Sequence, residues 1–220
     1  MKVGTDGVIL GAWTGIENAA RVLDIGTGTG LLALMLAQRS PTLVADAIEI
    51  GKESAMQAAI NFKNSKFSDR ITAYEISFRD YCKDTASKNY DLIICNPPYF
   101  SESYRAPDHE RSLARHDDTL SLEDLFKGSV SLMRSSGRIS LVIPSGIVGK
   151  CLDLADKYAL YSRRFLHIKP TPGKEEKRTC IEFGFSSVPA IHETLVIEDK
   201  GRHNYSLGYK ALTKDFYLNF

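Results

Sequence analysis

Val22-Leu23-Asp24-Ile25-Gly26-Thr27-Gly28-Thr29-Gly30 reads as a strand, a glycine turn and a helix start. The apolar run Arg21–Ile25 is a buried strand candidate, and Leu31–Arg39 is the helix that follows. Glycines permit tight dihedrals and let a ligand approach the backbone closely, while the helix start offers unpaired N–H groups. Working outward, strands and helices alternate. Leu43–Glu49 is a strand, Lys52–Asn64 a helix, and Arg70–Tyr74 and Tyr90–Cys95 are strands. A helix is predicted over Leu120–Met133, with Ser121 or Thr119 as its N-cap and Gly137 just past its end. Arg138–Ile143 is a further strand, stopped by Pro144. This rhythm predicts an α/β fold, a mostly parallel sheet with helices on both faces. After Pro144 the pattern loosens. Arg163–Ile168 and Cys180–Ser186 look like strands around a charged loop, a hairpin adding an antiparallel edge. No repeat, low-complexity tract or linker divides the chain, so residues 1–220 are expected to form a single domain.

Apolar residues make up 43% of the chain and charged residues 25%, values of an ordinary globule. No apolar run reaches the ~20 residues that span a bilayer. The opening Met1 to Gly7 reads as turn-rich, not as a signal peptide, so a cytoplasmic location without membrane contact is expected. Cys82, Cys95, Cys151 and Cys180 are dispersed, which predicts buried free thiols and no metal site. The net charge of +1 makes no case for nucleic acid, but its distribution does. Lys157, Arg163, Arg164, Lys169, Lys174, Lys177 and Arg178 face only Glu175 and Glu176 over that stretch, and Arg105, Arg111 and Arg115 form a second basic segment.

Which cofactor the glycine turn holds is a question of charge. Gly28-x-Gly30-x-x-Ala33 also fits a dinucleotide fingerprint, with Glu49 near the spacing of its ribose-binding acid. Asp24, however, sits at the strand end two residues before Gly26. It would repel a pyrophosphate and attract an ammonium. S-adenosylmethionine, with a positive amino-acid tail and an adenosine half, therefore fits better than NAD. Glu49 would accept hydrogen bonds from the two ribose hydroxyls.

Asn96-Pro97-Pro98-Tyr99 follows the strand Tyr90–Cys95. Two prolines cannot continue a ladder, so the chain leaves the sheet there, at the edge where open α/β sheets bind ligands. An exocyclic adenine amine is a poor nucleophile because its lone pair is delocalised into the ring. The Asn96 oxygen and the Pro97 carbonyl would each accept one amine hydrogen and free that lone pair. Tyr99 would stack on the base, a contact worth ~1–3 kcal/mol. Between Phe100 and Asp118 lies a charged stretch poor in apolar residues, expected to act as a substrate-handling flap.

On these residues the chain resembles the class I S-adenosylmethionine-dependent methyltransferases, whose Rossmann-like fold it is expected to share. The likeness extends to the bacterial tRNA1(Val) adenine-N6 methyltransferases. It is carried by Met1 to Gly7, Leu10-Gly11-Ala12-Trp13, Val22 to Gln38, Asn96 to Tyr99, and the ending Asn204-Tyr205-Ser206 with Tyr209, Ala211-Leu212-Thr213 and Phe216-Tyr217-Leu218. The resemblance implies methylation of N6 of the adenine 3′ of the anticodon in a valine tRNA, with tRNA as partner and a monomer favoured. It assigns the cofactor to Thr5, Asp6, Asp24, Gly26, Gly28, Gly30, Glu49 and Asn96, the target base to Asn96, Pro97 and Tyr99, and an RNA contact to Arg178. Two departures stand out. Ser77, with Phe78 beside it in the expected cofactor wall, occupies a position where the family usually carries an acid, and Asp80 is a nearby substitute. Family members also carry a segment ahead of Met-Lys-Val-Gly, which this chain is expected to lack. Other acceptors stay open: another nucleic-acid adenine or a protein glutamine amide. So do two other classes, an NAD-dependent oxidoreductase and a non-catalytic RNA-binding module.

Overall fold

The computed structural model describes residues 4–83, 89–97 and 120–218. Eight strands form one sheet in the order β3-β2-β1-β4-β5-β7-β6-β8. They are β1 Arg21–Ile25, β2 Val44–Glu49, β3 Ile71–Glu75, β4 Tyr90–Cys95, β5 Met133–Pro144, β6 Tyr161–Lys169, β7 Arg178–Gly184 and β8 Ile191–Val196. The helices are α1 Thr5–Trp13, α2 Leu31–Arg39, α3 Lys52–Lys63, α4 Phe78–Lys83, α5 Leu122–Leu132, α6 Val148–Lys157 and α7 Leu207–Thr213. Only β7 runs against its neighbours, pairing antiparallel with β5 and β6, while β8 pairs parallel with β6.

β4 is buried at every position and β1 at all but its first, because each lies between two other strands with helices on both faces. Two apolar clusters fill those faces. One joins α1, α2 and α3 through Leu10, Leu36 and Phe62, and the other joins α4, α5 and α6 through Phe78, Phe126 and Cys151. β1, α2 and β4 match their predicted bounds to the residue, because glycines or prolines end them abruptly. Ser121 is the N-cap of α5, its Oγ accepting from the Asp124 N–H at 3.0 Å.

Three features differ from the expectations. Thr5 to Gly7 is not turn but the start of α1. Gly7 and Gly11 weaken its intrinsic propensity, yet Val8, Ile9, Leu10 and Trp13 are buried and packing overrides that weakness. Gly137 does not stop a helix; it lies inside β5. There the pairing jumps from Tyr90↔Met133 to Leu92↔Arg138, and a Cβ on Gly137 would lie 2.8 Å from the Arg134 carbonyl oxygen. The hairpin is antiparallel, but its second strand, β7, inserts next to β5, and β6 returns to the common direction.

Candidate active site

The carboxyl ends of β2, β1 and β4 lie side by side, since Ile25 is in register with both Ile48 and Cys95. The chain leaves β1 through Gly26, Gly28 and Gly30, with φ of 66°, 60° and 91°. These are left-handed conformations that favour glycine. At Gly30 the Phe62 ring of α3 would overlap any Cβ, so this glycine lets α2 and α3 pack closely. At Gly26 nothing lies within 4 Å of the Cβ position. The turn is therefore braced on one side and open at its first glycine.

Glu49, at the end of β2, braces it further. Its Oε2 accepts from Gly28 N–H at 3.0 Å and its Oε1 from Gly51 N–H at 2.8 Å. Each oxygen keeps a second lone pair, so the carboxylate can hold the loop and still accept from a vicinal diol.

Asp24 is fully buried. Its Oδ2 accepts from Thr27 Oγ1 at 2.5 Å and from Ala33 N–H at 3.2 Å. Its Oδ1 has no hydrogen-bond partner among the described residues. Burial pushes its pKa up to about 7, and the charge of Glu49 pushes the same way, against the bonds from Thr27 and Ala33. Asp24 thus caps the glycine turn with one oxygen and keeps the other unpartnered. A buried acceptor without a partner is the chemistry that an ammonium group would complete, donating to Oδ1 and holding the carboxylate ionised. Cys95, beside it, is buried and pushed well above the ordinary thiol range by desolvation and by the charges of Asp24 and Glu49, so it is no thiolate nucleophile.

Asn96 follows β4 half-buried, and Pro97 is buried. The Asn96 carboxamide makes no hydrogen bond among the described residues. The first turn of α1 lies against it. A Cβ on Gly7 would stand 3.6 Å from Asn96 Nδ2 and 3.4 Å from Leu31 Cδ2, at the start of α2. Tyr99, the proposed flap and Arg105, Arg111 and Arg115 lie outside the described residues.

The remaining expected site residues divide. Thr5 opens α1 and is exposed, while Asp6 pairs with Arg178, Nε to Oδ2 at 2.8 Å. Ile76 N–H donates to the Glu49 carbonyl at 3.0 Å, which brings Ser77 to the end of β2. Ser77 itself caps α4: its Oγ accepts from Asp80 N–H at 3.1 Å and its hydroxyl donates to Asp80 Oδ2 at 2.6 Å. Asp80 is also bound by Lys83 at 2.7 Å. The Phe78 ring is buried in the second cluster against Gly128, so this residue packs the core. The basic stretch divides too. Lys157 pairs with Glu123, and Arg164 pairs with Glu193 and stacks over Trp13, whereas Lys169, Lys174 and Lys177 make no ion pair among the described residues. Sequence reasoning missed the contact of Gly7 with Asn96 because it left α1 unassigned. No described helix is long and apolar enough to cross a membrane, and no described cluster of His, Cys, Asp or Glu suits a metal ion.

Against this geometry stand the known proteins. A family profile, Methyltransferase small domain, matches residues 13–150. The tRNA1(Val) (adenine(37)-N6)-methyltransferase of Parabacteroides distasonis is 48% identical over 221 residues, covering 99% of this chain and 91% of that protein. Among solved structures, a predicted O-methyltransferase from Agrobacterium tumefaciens superposes with a TM-score of 0.76 at 19% identity, covering 96% of each chain. A Brevibacillus brevis O-methyltransferase in complex with S-adenosyl-L-homocysteine does so with a TM-score of 0.53 at 16% identity, covering 73% of this chain and 52% of that one. At these identities the solved structures speak to the fold alone.

Proposed function

The chain belongs to the Methyltransferase small domain family, among the tRNA1(Val) (adenine(37)-N6)-methyltransferases, and on that premise we propose that it methylates N6 of an adenine in tRNA, the one 3′ of the anticodon in a valine tRNA. The observation that carries the reading is the register of β1 with β4. It sets the orphan Oδ1 of Asp24 and the carboxamide of Asn96 at the ends of adjacent strands, with the open face of Gly26 on the same edge.

The group that fits is S-adenosylmethionine, which when bound supplies an electrophilic methyl carbon on a sulfonium. Asp24 would hold the ammonium of its amino-acid tail, Glu49 its ribose hydroxyls, and the glycine turn its backbone-facing side. Ser77 and Asp80 bond each other, but Asp80, like Glu49, keeps a lone pair on each oxygen, so adenine recognition there would fall to backbone groups or to Asp80. Asn96 would accept one hydrogen of the substrate amine through its side-chain oxygen, and Pro97 the other through its carbonyl. With both N–H bonds so engaged, the nitrogen lone pair is localised and the positive charge that develops on nitrogen is stabilised. No strong base is required before transfer. Tyr99 would cover the base. An anticodon-loop adenine suits such a site because an unpaired base is splayed out at little cost.

The test is mass spectrometry of unmodified tRNA incubated with the protein and methyl-labelled S-adenosylmethionine. One label on N6 of the adenine 3′ of the valine anticodon is expected. Label on another atom, or none, overturns the reading.

A further inference from the structure

We propose that Asp6 and Arg178 are a positioning pair for the transfer step, fastening the first turn of α1 to the sheet edge and so fixing the wall against which Asn96 lies. The inference rests on Asn96 as the amine-binding group.

α1 is held unevenly. Its far end has several polar tethers: Trp13 Nε1 donates to Glu193 at 2.9 Å, and Arg39 donates to the carbonyls of Gly11 and Thr14 at 2.7 and 2.8 Å. Its first turn starts at Gly4, which provides no side-chain cap. There Asp6 is tied to Arg178. Asp6 suits the positive end of the helix dipole, and both side chains are mostly shielded, 21% and 28% exposed, where an ion pair is stronger than on open surface. Arg178 begins β7 in register with Pro144 of β5 and Ile168 of β6, at the same sheet edge as Asn96. Its Nη1 donates to the Lys177 carbonyl at 2.9 Å, which fixes the guanidinium head. One residue beyond Asp6, the face of Gly7 meets Asn96 and Leu31. The pair therefore joins the antiparallel half of the sheet to the carboxamide through a single helical turn. Arg178 is turned inward to Asp6, a different role from the RNA contact that resemblance implies.

The experiment measures methyl transfer to tRNA, tRNA affinity and S-adenosylhomocysteine affinity for wild type, Arg178→Gln, Asp6→Asn, the double variant and Arg178→Lys. Misplacing a reacting group by about 1 Å costs on the order of 100-fold. Each neutral variant should lower kcat by about 10- to 100-fold at saturating substrates, with tRNA Kd and S-adenosylhomocysteine Kd each within about twofold; a larger loss of S-adenosylhomocysteine affinity would make the pair part of the cofactor site instead. The double variant should be no worse than either single one, because the two residues act as one unit. Arg178→Lys should recover part of the loss. If Arg178→Gln fails to fold, Asp6→Asn and Arg178→Lys carry the test. Weakened tRNA binding with kcat intact would make Arg178 an RNA contact, and additive losses or unchanged kcat would also overturn the proposal. An inactive wild type would instead refute the methyltransfer reading beneath it.

Discussion

Strands β1, β2 and β4 each bury a carboxylate, and the three differ in how many of their oxygens are engaged. Asp46 in β2 accepts from Tyr90 Oη at 2.5 Å, Arg21 at 3.1 Å and Tyr74 Oη at 3.2 Å. Asp91, at the start of β4, accepts from the N–H groups of Ala20 and Arg21 at 3.0 and 2.8 Å, and from Arg134 at 2.8 Å. Both oxygens of each are used. Asp24, near the carboxyl end of β1, keeps one oxygen without a partner. The same chemical group is thus fully engaged at Asp46 and Asp91 and only half engaged at Asp24, which lies one register step beyond Asp46, on the other face of the sheet. A buried acceptor left unsatisfied costs free energy unless something else fills it. At Asp24 the proposed filler is the ammonium of the cofactor, beside a turn with nothing within 4 Å of the Gly26 Cβ position.

The contrast can be broken first at its most consequential acceptor. Asn96→Ala should lower methyl transfer about 10²- to 10³-fold in single-turnover assays, with S-adenosylhomocysteine affinity almost unchanged. Equal activity would remove Asn96 from the mechanism. The second test uses pH. Asp24 has a folded-state pKa of about 7, above its ordinary 3.8, so the folded protein holds a proton there that the unfolded chain has lost. Its contribution to stability is therefore present at low pH and disappears as pH rises through that window, on the order of 4 kcal/mol in all. Relative to wild type without ligand, Asp24→Asn should lack this slope in denaturant titrations between pH 5 and pH 8. An unchanged difference between the two across that range would mean Asp24 is already ionised in a satisfied site. Third, Asp46→Asn should cost ~2 kcal/mol of stability and leave cofactor affinity unaltered, because both Asp46 oxygens are engaged by Tyr90, Arg21 and Tyr74. The smallest effect belongs to Tyr99→Phe, which keeps the stacking face and should alter tRNA KM by less than about threefold. A loss as large as that of Tyr99→Ala would shift the role to the hydroxyl.

The parts of this arrangement visible in the sequence are those dictated by local chemistry. Val22 to Gly30 reads as a strand running into a glycine turn, and Asp91 to Pro97 as a buried strand that prolines end. The pairing of the two strands, and with it the neighbourhood of Asp24 and Asn96, follows from the alternation of elements. Other parts depend on partners far along the chain. α1 is a helix because Leu10 and Trp13 find a core, and its tie to the site lies 172 residues away, at Arg178. β8 has one buried residue, Leu195, and Ile191 to Thr194 are exposed, so its sequence carries little apolar pattern to read. Resemblance places Ser77 only at the position of a usual acid, with Asp80 as a substitute; that the two join each other as the cap of α4 needs the backbone of that helix.

The most direct measurement is calorimetric titration of S-adenosylhomocysteine into wild type, Asp24→Asn and Asp46→Asn at pH 8, with NAD as the competing ligand. The account predicts binding to wild type, a loss of tenfold or more in Asp24→Asn, near-wild-type affinity in Asp46→Asn, and no heat from NAD. Undiminished affinity in Asp24→Asn, or NAD binding in place of S-adenosylhomocysteine, would contradict it.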